Sequence, residues 1–177
     1  DRIVVSLIPD PSSRVAALEA GDIDFASDLP TTHYDQIANN DDFTVVGAPG
    51  TNWVSLVINH ARPPWDNVDA RMAVAKAIDK DAFNETAFLG LAVPSTSAIA
   101  PAFGWVYQPP EEVDTPQAFN LDEARALVEQ TGIAGTTIKL MVAADNTRPG
   151  EVIRNVLADI DLNVELEPLQ DAAWSER

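Results

Sequence analysis

The chain has 177 residues, of which 46% are apolar and 22% are charged, a composition typical of one folded globular domain and not of a disordered protein. Its 28 acidic and 11 basic residues leave a formal net charge of -17, which excludes nucleic acid as a partner because it repels phosphate. The absence of cysteine excludes disulfides and thiolate metal sites, and no apolar run approaches the roughly 20 residues of a membrane span.

The first third of the chain predicts short strands around one amphipathic helix. Residues 2–10, RIVVSLIPD, have the apolar run of a buried strand that ends at a proline. A helix follows, with Ser12 or Ser13 as its N-cap and Gly21 as its left-handed stop. Further strands are predicted for residues 22–28, 43–46 and 52–59, and a short helix or loop for residues 31–42.

Residues 63–80, PPWDNVDARMAVAKAIDK, join two prolines and an acidic turn to an alanine-rich amphipathic run. Asp66 or Asp69 is the predicted N-cap of this helix. Asp79 is predicted to cap a second helix, which stops at Gly90.

The last third of the chain predicts a helix followed by one βαβ unit. Asn120 and Glu123 form a predicted capping box for a helix that ends at Gly132. Residues 137–143, 151–160 and 163–169 then have the patterns of a strand, a helix and a strand. Two strands joined by a helical crossover run parallel, so the element order predicts an α/β fold.

Catalytic and metal-binding motifs find little support in this sequence. His33 and His60 accompany no nucleophile-elbow motif, so a hydrolase would need a serine distant in sequence as their partner. Asp22, Asp24 and Asp28 offer oxygen atoms to calcium, but the glycine and glutamate positions of an EF-hand loop are missing. We therefore expect a protein that is not an enzyme and that holds neither a cofactor nor a metal.

Aromatic and basic side chains in loops remain as candidates for ligand contacts. The aromatic candidates are Trp53, Trp65, Trp105, Trp174 and Tyr107. For each tryptophan alone a place in the core is favoured, and a stacking wall for a ligand is the alternative. Arg148 precedes Pro149 at the start of a predicted helix, where it would capture a carboxylate; a solvated loop cation is the equally favoured alternative. The extended residues 91–116 are long enough to be functional or to cover another domain.

Four longer stretches carry a resemblance to a known family. They read IPDPSSRVAALEAGDIDFASDLP, NWVSLVINHARPPWDNVDARMAVAKAIDKDAFNETAFLGLAVPSTSAIAP, FNLDEARALVEQTG and VLADIDLNVELEPLQDAAW. In this order they extend over nearly all of the chain. Together they resemble the extracytoplasmic solute-binding proteins of ABC importers that carry peptides and nickel, known as solute-binding family 5.

The resemblance implies an α/β fold of the type II periplasmic-binding-protein kind, like the dipeptide-binding protein, with a mixed sheet flanked by helices. Residues 1–177 would form a single domain, most of the C-terminal ligand-binding lobe of a larger two-lobed protein that closes over its solute. The implied function is the substrate-binding component of an ABC importer, which captures a peptide-like solute outside the cytoplasmic membrane and delivers it to the permease. A periplasmic or extracytoplasmic monomer is expected, with membrane contact only through the permease subunits or a lipid anchor outside this chain.

Position by position, the resemblance implies ligand contacts at four residues: Trp53, Asn146, Arg148 and Trp174. Trp53 begins a strand near the cleft, and the loop of Asn146 and Arg148 contacts the ligand in some members. Trp174 matches an aromatic that lies against the solute in some peptide binders. The chain departs from the family at Asp161, where relatives have a glycine at a helix stop, and aspartate adopts left-handed geometry at some cost.

Other functions stay open at this point. Within the same family, a nickel complex or a short oligosaccharide is an alternative solute. From other classes, a freestanding α/β hydrolase and an interaction module recognised through its acidic surface are the alternatives.

Overall fold

The structure is a computed structural model, and it describes residues 2–29, 31–48, 50–51, 53–95, 97, 99–108, 115–144 and 146–170. The chain divides into two compact units, residues 1–48 and residues 49–177, each with its own secondary structure. The expectation that residues 1–177 form one lobe of a larger protein stays a prediction. Among the described residues, no helix is both long and apolar enough to cross a membrane.

Residues 1–48 contain the helices α1 (Pro11–Glu19) and α2 (Tyr34–Ala38), with a 3-10 turn at Thr31–His33 before α2. The N-cap of α1 is Asp10 and not a serine, because the Asp10 carboxylate accepts the Ser13 amide at 2.7 Å and Pro11 begins the helix. Gly21 adopts a φ of 74°, so the predicted left-handed stop is confirmed.

Residues 49–177 contain the helices α3 (Val68–Ala77) and α4 (Lys80–Phe88). The helix predicted after the acidic turn is confirmed, but its N-cap is Asn67, whose side chain accepts the Asp69 amide at 2.9 Å. Asp79 caps α4 as predicted and accepts two backbone amides, at 3.0 and 3.1 Å. Two left-handed residues, Leu89 and Gly90, end α4.

The strands β1 (Thr137–Ala143) and β2 (Asn163–Leu169) form a two-stranded sheet, with α5 (Leu121–Thr131) before it and α6 (Arg148–Ala158) between the strands. The strands run parallel, with Thr137 opposite Asn163, so the predicted βαβ unit is confirmed. Helix α6 begins at Arg148 and not at residue 151, because Pro149 fits the first turn, where its missing amide hydrogen costs nothing. Only parallel pairing occurs in the described residues, so the mixed sheet stays a prediction.

One hydrophobic core joins the helices to the sheet in residues 49–177. Its buried members are Ala70, Ala73, Val74, Ala77, Ala124, Val128, Ile133, Ile153, Leu157, Ile160 and Leu162. The α3 members are mostly alanines, which let α3 and α5 approach closely, and α6 covers one face of the sheet. In residues 1–48, α1 buries Val15 and α2 buries Ile37.

Four predicted strands do not form. The predictions for residues 2–10, 22–28, 43–46 and 52–59 are wrong for the described part of these ranges, where the backbone joins no strand ladder. Strand hydrogen bonds need a partner strand, and none reaches these stretches in the described structure. Large apolar side chains consequently stay exposed there, among them Val5, Phe25, Val46 and Val57.

Candidate functional site

The carboxyl end of β1 leads through a short turn into α6, and close packing fixes this junction. The Asn146 amide donates to the Ala143 carbonyl at 3.1 Å, which closes the turn. Gly150, in the first turn of α6, lies so close to the sheet that a Cβ there would overlap Val142 and sit 3.2 Å from Leu166 Cδ2. A glycine is therefore required for α6 to start beside the strand end.

The predicted ligand residues Asn146 and Arg148, hereafter the junction pair, both lie here. Asn146 is exposed in the turn, and Arg148 is the half-buried first residue of α6. Neither side chain forms a hydrogen bond or ion pair with another described residue. No side chain caps the first turn of α6, because the Thr147 hydroxyl instead contacts the Glu151 carboxylate at 3.3 Å. A free guanidinium beside an uncapped helix start is suited to bind a carboxylate.

Trp53, the third predicted contact, is the first of residues 53–59, which join no strand ladder, and is 55% exposed. Farther along the same stretch, Leu56 and Ile58 pack against the core of residues 49–177. Among the described residues, no hydrogen bond or ring contact joins Trp53 to the junction pair. The structure thus brings two of the predicted contacts together and leaves the Trp53 ring largely open to solvent without a link to them.

The fourth predicted contact, Trp174, lies outside the described residues, so its role stays a prediction. Among the other aromatic candidates, Trp65 packs against the core, which is the location that the sequence analysis favours for a single tryptophan. Trp105 is 90% exposed and follows a 3-10 turn at Pro101–Phe103, while Tyr107 is half-buried. Of these rings, Trp105 therefore remains the most available for stacking on a ligand.

Neither a metal centre nor a hydrolytic pair is found in the part of the chain that the structure describes. No three acidic or histidine side chains there lie close enough together to hold a metal ion, and this includes the aspartates of residues 22–28. His33 contacts the hydroxyl of its neighbour Thr32 at 3.2 Å, and no hydrogen bond joins a described serine to His33 or His60.

Small cavities lie among the described residues of 49–177, and no predicted ligand residue lines the two best-formed ones. The larger, of about 190 Å³, lies between the start of α4 and residues 115–119, with Asp79 and Phe119 among its walls. The smaller, of about 100 Å³, lies between α5 and the end of α6 and is lined by Arg125 and Asp159. Both are smaller than the roughly 300 Å³ at which pockets for small molecules begin.

Two polar side chains that sequence reasoning missed hold loops in place. Arg71 Nη1, on α3, donates to the carbonyls of Trp65 and Asp66 at 2.7 and 3.1 Å and so fixes the acidic turn. Asn84, on the buried face of α4, donates to the Ala92 carbonyl at 2.9 Å and accepts the Ala92 amide at 3.1 Å. The only signal in the sequence for this role of Asn84 is that a polar residue occupies an apolar face of the helix.

An ion pair and a hydrogen bond link the end of α3 to the start of α5. Lys76 Nζ lies 3.1 Å from Glu123 Oε2, and the Lys76 carbonyl accepts the Asn120 amide at 2.9 Å. The Glu123 amide donates to Asn120 Oδ1 at 3.0 Å, so half of the predicted capping box forms. The other hydrogen bond of a capping box, from the Asn120 backbone amide to the Glu123 carboxylate, does not form, because this amide donates to the Lys76 carbonyl.

The model of one family, described as bacterial extracellular solute-binding proteins, family 5 Middle, matches residues 1–177. Among curated proteins, heme-binding protein A of Haemophilus influenzae is 26% identical over 164 residues, which span 90% of this chain and 29% of that protein. The glutathione-binding protein GsiB of Salmonella typhimurium is 28% identical over 134 residues, which span 75% of this chain and 25% of that protein. The chain thus covers less than a third of the length of these relatives.

Solved structures share the fold at lower identity. The periplasmic binding protein DppA from Helicobacter pylori, in complex with the peptide STSA, aligns with a TM-score of 0.78 and 24% identity over 94% of this chain and 32% of its own. NikA from Brucella suis, in complex with Fe(III)-EDTA, aligns with a TM-score of 0.73 and 20% identity over 98% of this chain and 38% of its own. These neighbours confirm the predicted α/β fold of the type II periplasmic-binding-protein kind.

The family model spans the whole chain, and the curated relatives and the fold agree with the stretches that carry the resemblance in the sequence. The recognition made from those stretches is confirmed. The chain belongs to the bacterial extracellular solute-binding proteins of family 5.

Proposed function

We propose that the protein to which this chain belongs is the substrate-binding component of an ABC importer, which captures a peptide-like solute and delivers it to the permease subunits. The match of the family model over residues 1–177 carries this proposal. The proposed protein is periplasmic or extracytoplasmic, works as a monomer and catalyses no reaction. Its membrane contact runs through the permease or through a lipid anchor outside these residues.

The junction pair supports the proposal at the residue level. Arg148 presents a guanidinium without a partner among the described residues, beside an uncapped helix start. Asn146 adds an amide that both donates and accepts hydrogen bonds. In the proposed site these two side chains bind a carboxylate of the solute, while Trp53 and Trp174 supply apolar contact.

The solutes named for the relatives favour a ligand that carries carboxylates. The names include glutathione, heme and the peptide STSA, and each of these molecules bears at least one carboxylate. A guanidinium binds a carboxylate through two parallel hydrogen bonds, which matches the group that these solutes share. A metal complex is the second candidate solute, because NikA from Brucella suis was solved with Fe(III)-EDTA.

The test uses the protein expressed from its complete reading frame. Mass spectrometry of the small molecules that co-purify with it identifies the solute, and calorimetry then measures the Kd. The Arg148→Gln substitution is expected to weaken binding of a carboxylate-bearing solute about tenfold or more, because a hydrogen bond to a charged group is lost.

Arg154→Gln is the matched control, because Arg154 is exposed on the same helix α6 and its loss changes the net charge equally. The control is expected to keep the Kd of the unmodified protein. If the unmodified protein and both variants have the same Kd, Arg148 does not bind the solute. Hydrolysis of the solute by the purified protein would overturn the proposal that it only binds.

A further inference from the structure

Helix α6 contains one glycine on its buried face. Gly150, Ile153 and Leu157 are buried, and their spacing of three and four residues places them on the same face of the helix. Glycine stabilises a helix less than alanine does, because it leaves the unfolded chain more freedom. A glycine in the first turn of α6 therefore costs stability unless the packing requires it.

The packing of α6 on the sheet does require it. A Cβ on Gly150 would overlap Val142 Cγ1 on β1 and lie 3.2 Å from Leu166 Cδ2 on β2, whereas carbon atoms prefer separations of about 3.5–4.0 Å. Val142 is buried and β-branched, so its side chain has little freedom to turn aside. All of these atoms belong to the βαβ unit, so the contact does not depend on residues outside this chain.

Both members of the junction pair lie in the chain between the two residues in contact. Asn146 follows Val142 by four residues, and Arg148 precedes Gly150 by two. Two residues turn a helix by about 200°, so the position of α6 at Gly150 sets the direction in which the Arg148 side chain leaves the helix. The contact between Val142 and Gly150 thus fixes both ends of the short segment that carries the pair.

We infer that Gly150 is a positioning residue for solute binding: by letting α6 start against Val142, it places the Arg148 guanidinium where it binds a carboxylate. This inference rests on the carboxylate site of the proposed function. An added Cβ moves the start of α6 by about 1 Å before ordinary contact distances return. Binding groups must keep their places to within about 0.5 Å, so a shift of this size is large enough to weaken binding.

NMR with sodium acetate, the simplest probe with a carboxylate and an apolar group, tests the inference on the protein from the complete reading frame. The nitrogen signal of the Arg148 guanidinium, assigned by its loss in Arg148→Gln, is followed through the titration, and sodium chloride controls for ionic strength. Gly150→Ala is expected to weaken acetate binding at this signal about three- to tenfold. The double variant Val142→Ala/Gly150→Ala lacks the overlapping Cγ1 and is expected to regain most of the lost affinity.

Ile153→Val is the matched control for a loss of stability. It also weakens the packing of the buried face of α6 but leaves the helix start in place, so it is expected to bind acetate like the unmodified protein. Circular dichroism checks that each variant is folded, as expected for one overpacked residue in a domain of ordinary stability.

Three outcomes would overturn the role of Gly150 and leave the carboxylate site in place. They are unchanged acetate binding by Gly150→Ala, equal weakening by Ile153→Val, and no recovery in the double variant. A different result, an Arg148 signal that does not respond to acetate in the unmodified protein, would overturn the carboxylate site and this inference together.

Discussion

Hydrogen bonds to nearby backbone groups decide where each helix begins and ends, so these positions depend on the local sequence. The cap at Asn120 and the left-handed stop at Gly132 are confirmed. The sequence predicts a serine as the N-cap of α1, whereas the N-cap is Asp10. Serine and aspartate are both favoured at this position, and Ser12, Ser13 and Asp10 all lie near the helix start. Pro11, which favours the first helical position, was the signal that separates them.

Asp161 adopts a φ of 58° after α6, in the left-handed region that costs a side chain energy. The Asp161→Gly substitution is expected to raise the free energy of unfolding by about 0.5–1 kcal/mol, because relief of this strain outweighs the added freedom of the unfolded chain. Urea unfolding followed by circular dichroism measures the difference.

Asp159→Gly is the control, because Asp159 is also exposed and acidic but has a helical φ of -66°. There a glycine only adds freedom to the unfolded chain, so the free energy of unfolding is expected to fall by about 0.5–1 kcal/mol. Shifts of the same sign in both variants would contradict the strain at Asp161 and point to the lost charge instead.

Hydrogen bonds from the side chain and then from the backbone of Ser13 hold the pKa of the Asp10 carboxyl below its ordinary value, with a smaller contribution from Arg14. Because the pKa is lower in the folded chain, the carboxylate contributes stability above its unfolded pKa of about 3.9 and loses it as the pH falls through the folded pKa. Carbon NMR of the Asp10 carboxyl is expected to show the low pKa. The Asp10→Asn variant, which keeps a cap but does not titrate, is expected to lack this acid-dependent loss.

At the scale of elements, the strands β1 and β2 were predicted with their observed bounds because alternation and β-branched residues both mark them. The pattern of residues 151–160 starts α6 three residues late, because the apolar periodicity does not extend to Arg148 and Pro149, although proline is favoured in a first turn. Residues 53–59 failed as a strand because strand pairing depends on a distant partner, which a local pattern cannot specify.

The contact between α6 and the sheet leads to a further prediction. Gly150→Ala places a methyl group where Val142 already lies, so the free energy of unfolding is expected to fall by about 1–3 kcal/mol through overpacking. Gly104→Ala is the control, because no atom lies within 4 Å of the added Cβ, and its effect is expected to stay within about 0.5 kcal/mol. Equal losses in thermal unfolding would contradict the close approach at Gly150.

At the scale of the whole molecule, the family and fold were predictable because the identifying stretches extend over nearly all of the chain. The candidate site was predictable only in part. The positions of Asn146 and Arg148 at one strand end follow from the order of β1 and α6. The position of Trp53 relative to them depends on packing between segments far apart in sequence, which no local pattern encodes.

The chain spans 29% of heme-binding protein A, so we expect it to supply only part of the contacts to a solute. Calorimetry of the 177-residue chain against dipeptides and tripeptides is expected to show no binding tighter than roughly millimolar, or about -4 kcal/mol. The protein from the complete reading frame, measured under the same conditions, is the reference. A micromolar constant for the chain alone would show that its own residues complete the site.

The two polar contacts that fix Ala92 and Asn120 have a consequence for how this chain can vary. The Asn84 side chain holds the backbone at Ala92, and the Lys76 carbonyl holds it at Asn120. A connection anchored at both ends pays only about 0.6 kcal/mol of closure entropy when its length doubles. Insertions and deletions between the two anchors should therefore leave the packing of α3 on α5 intact.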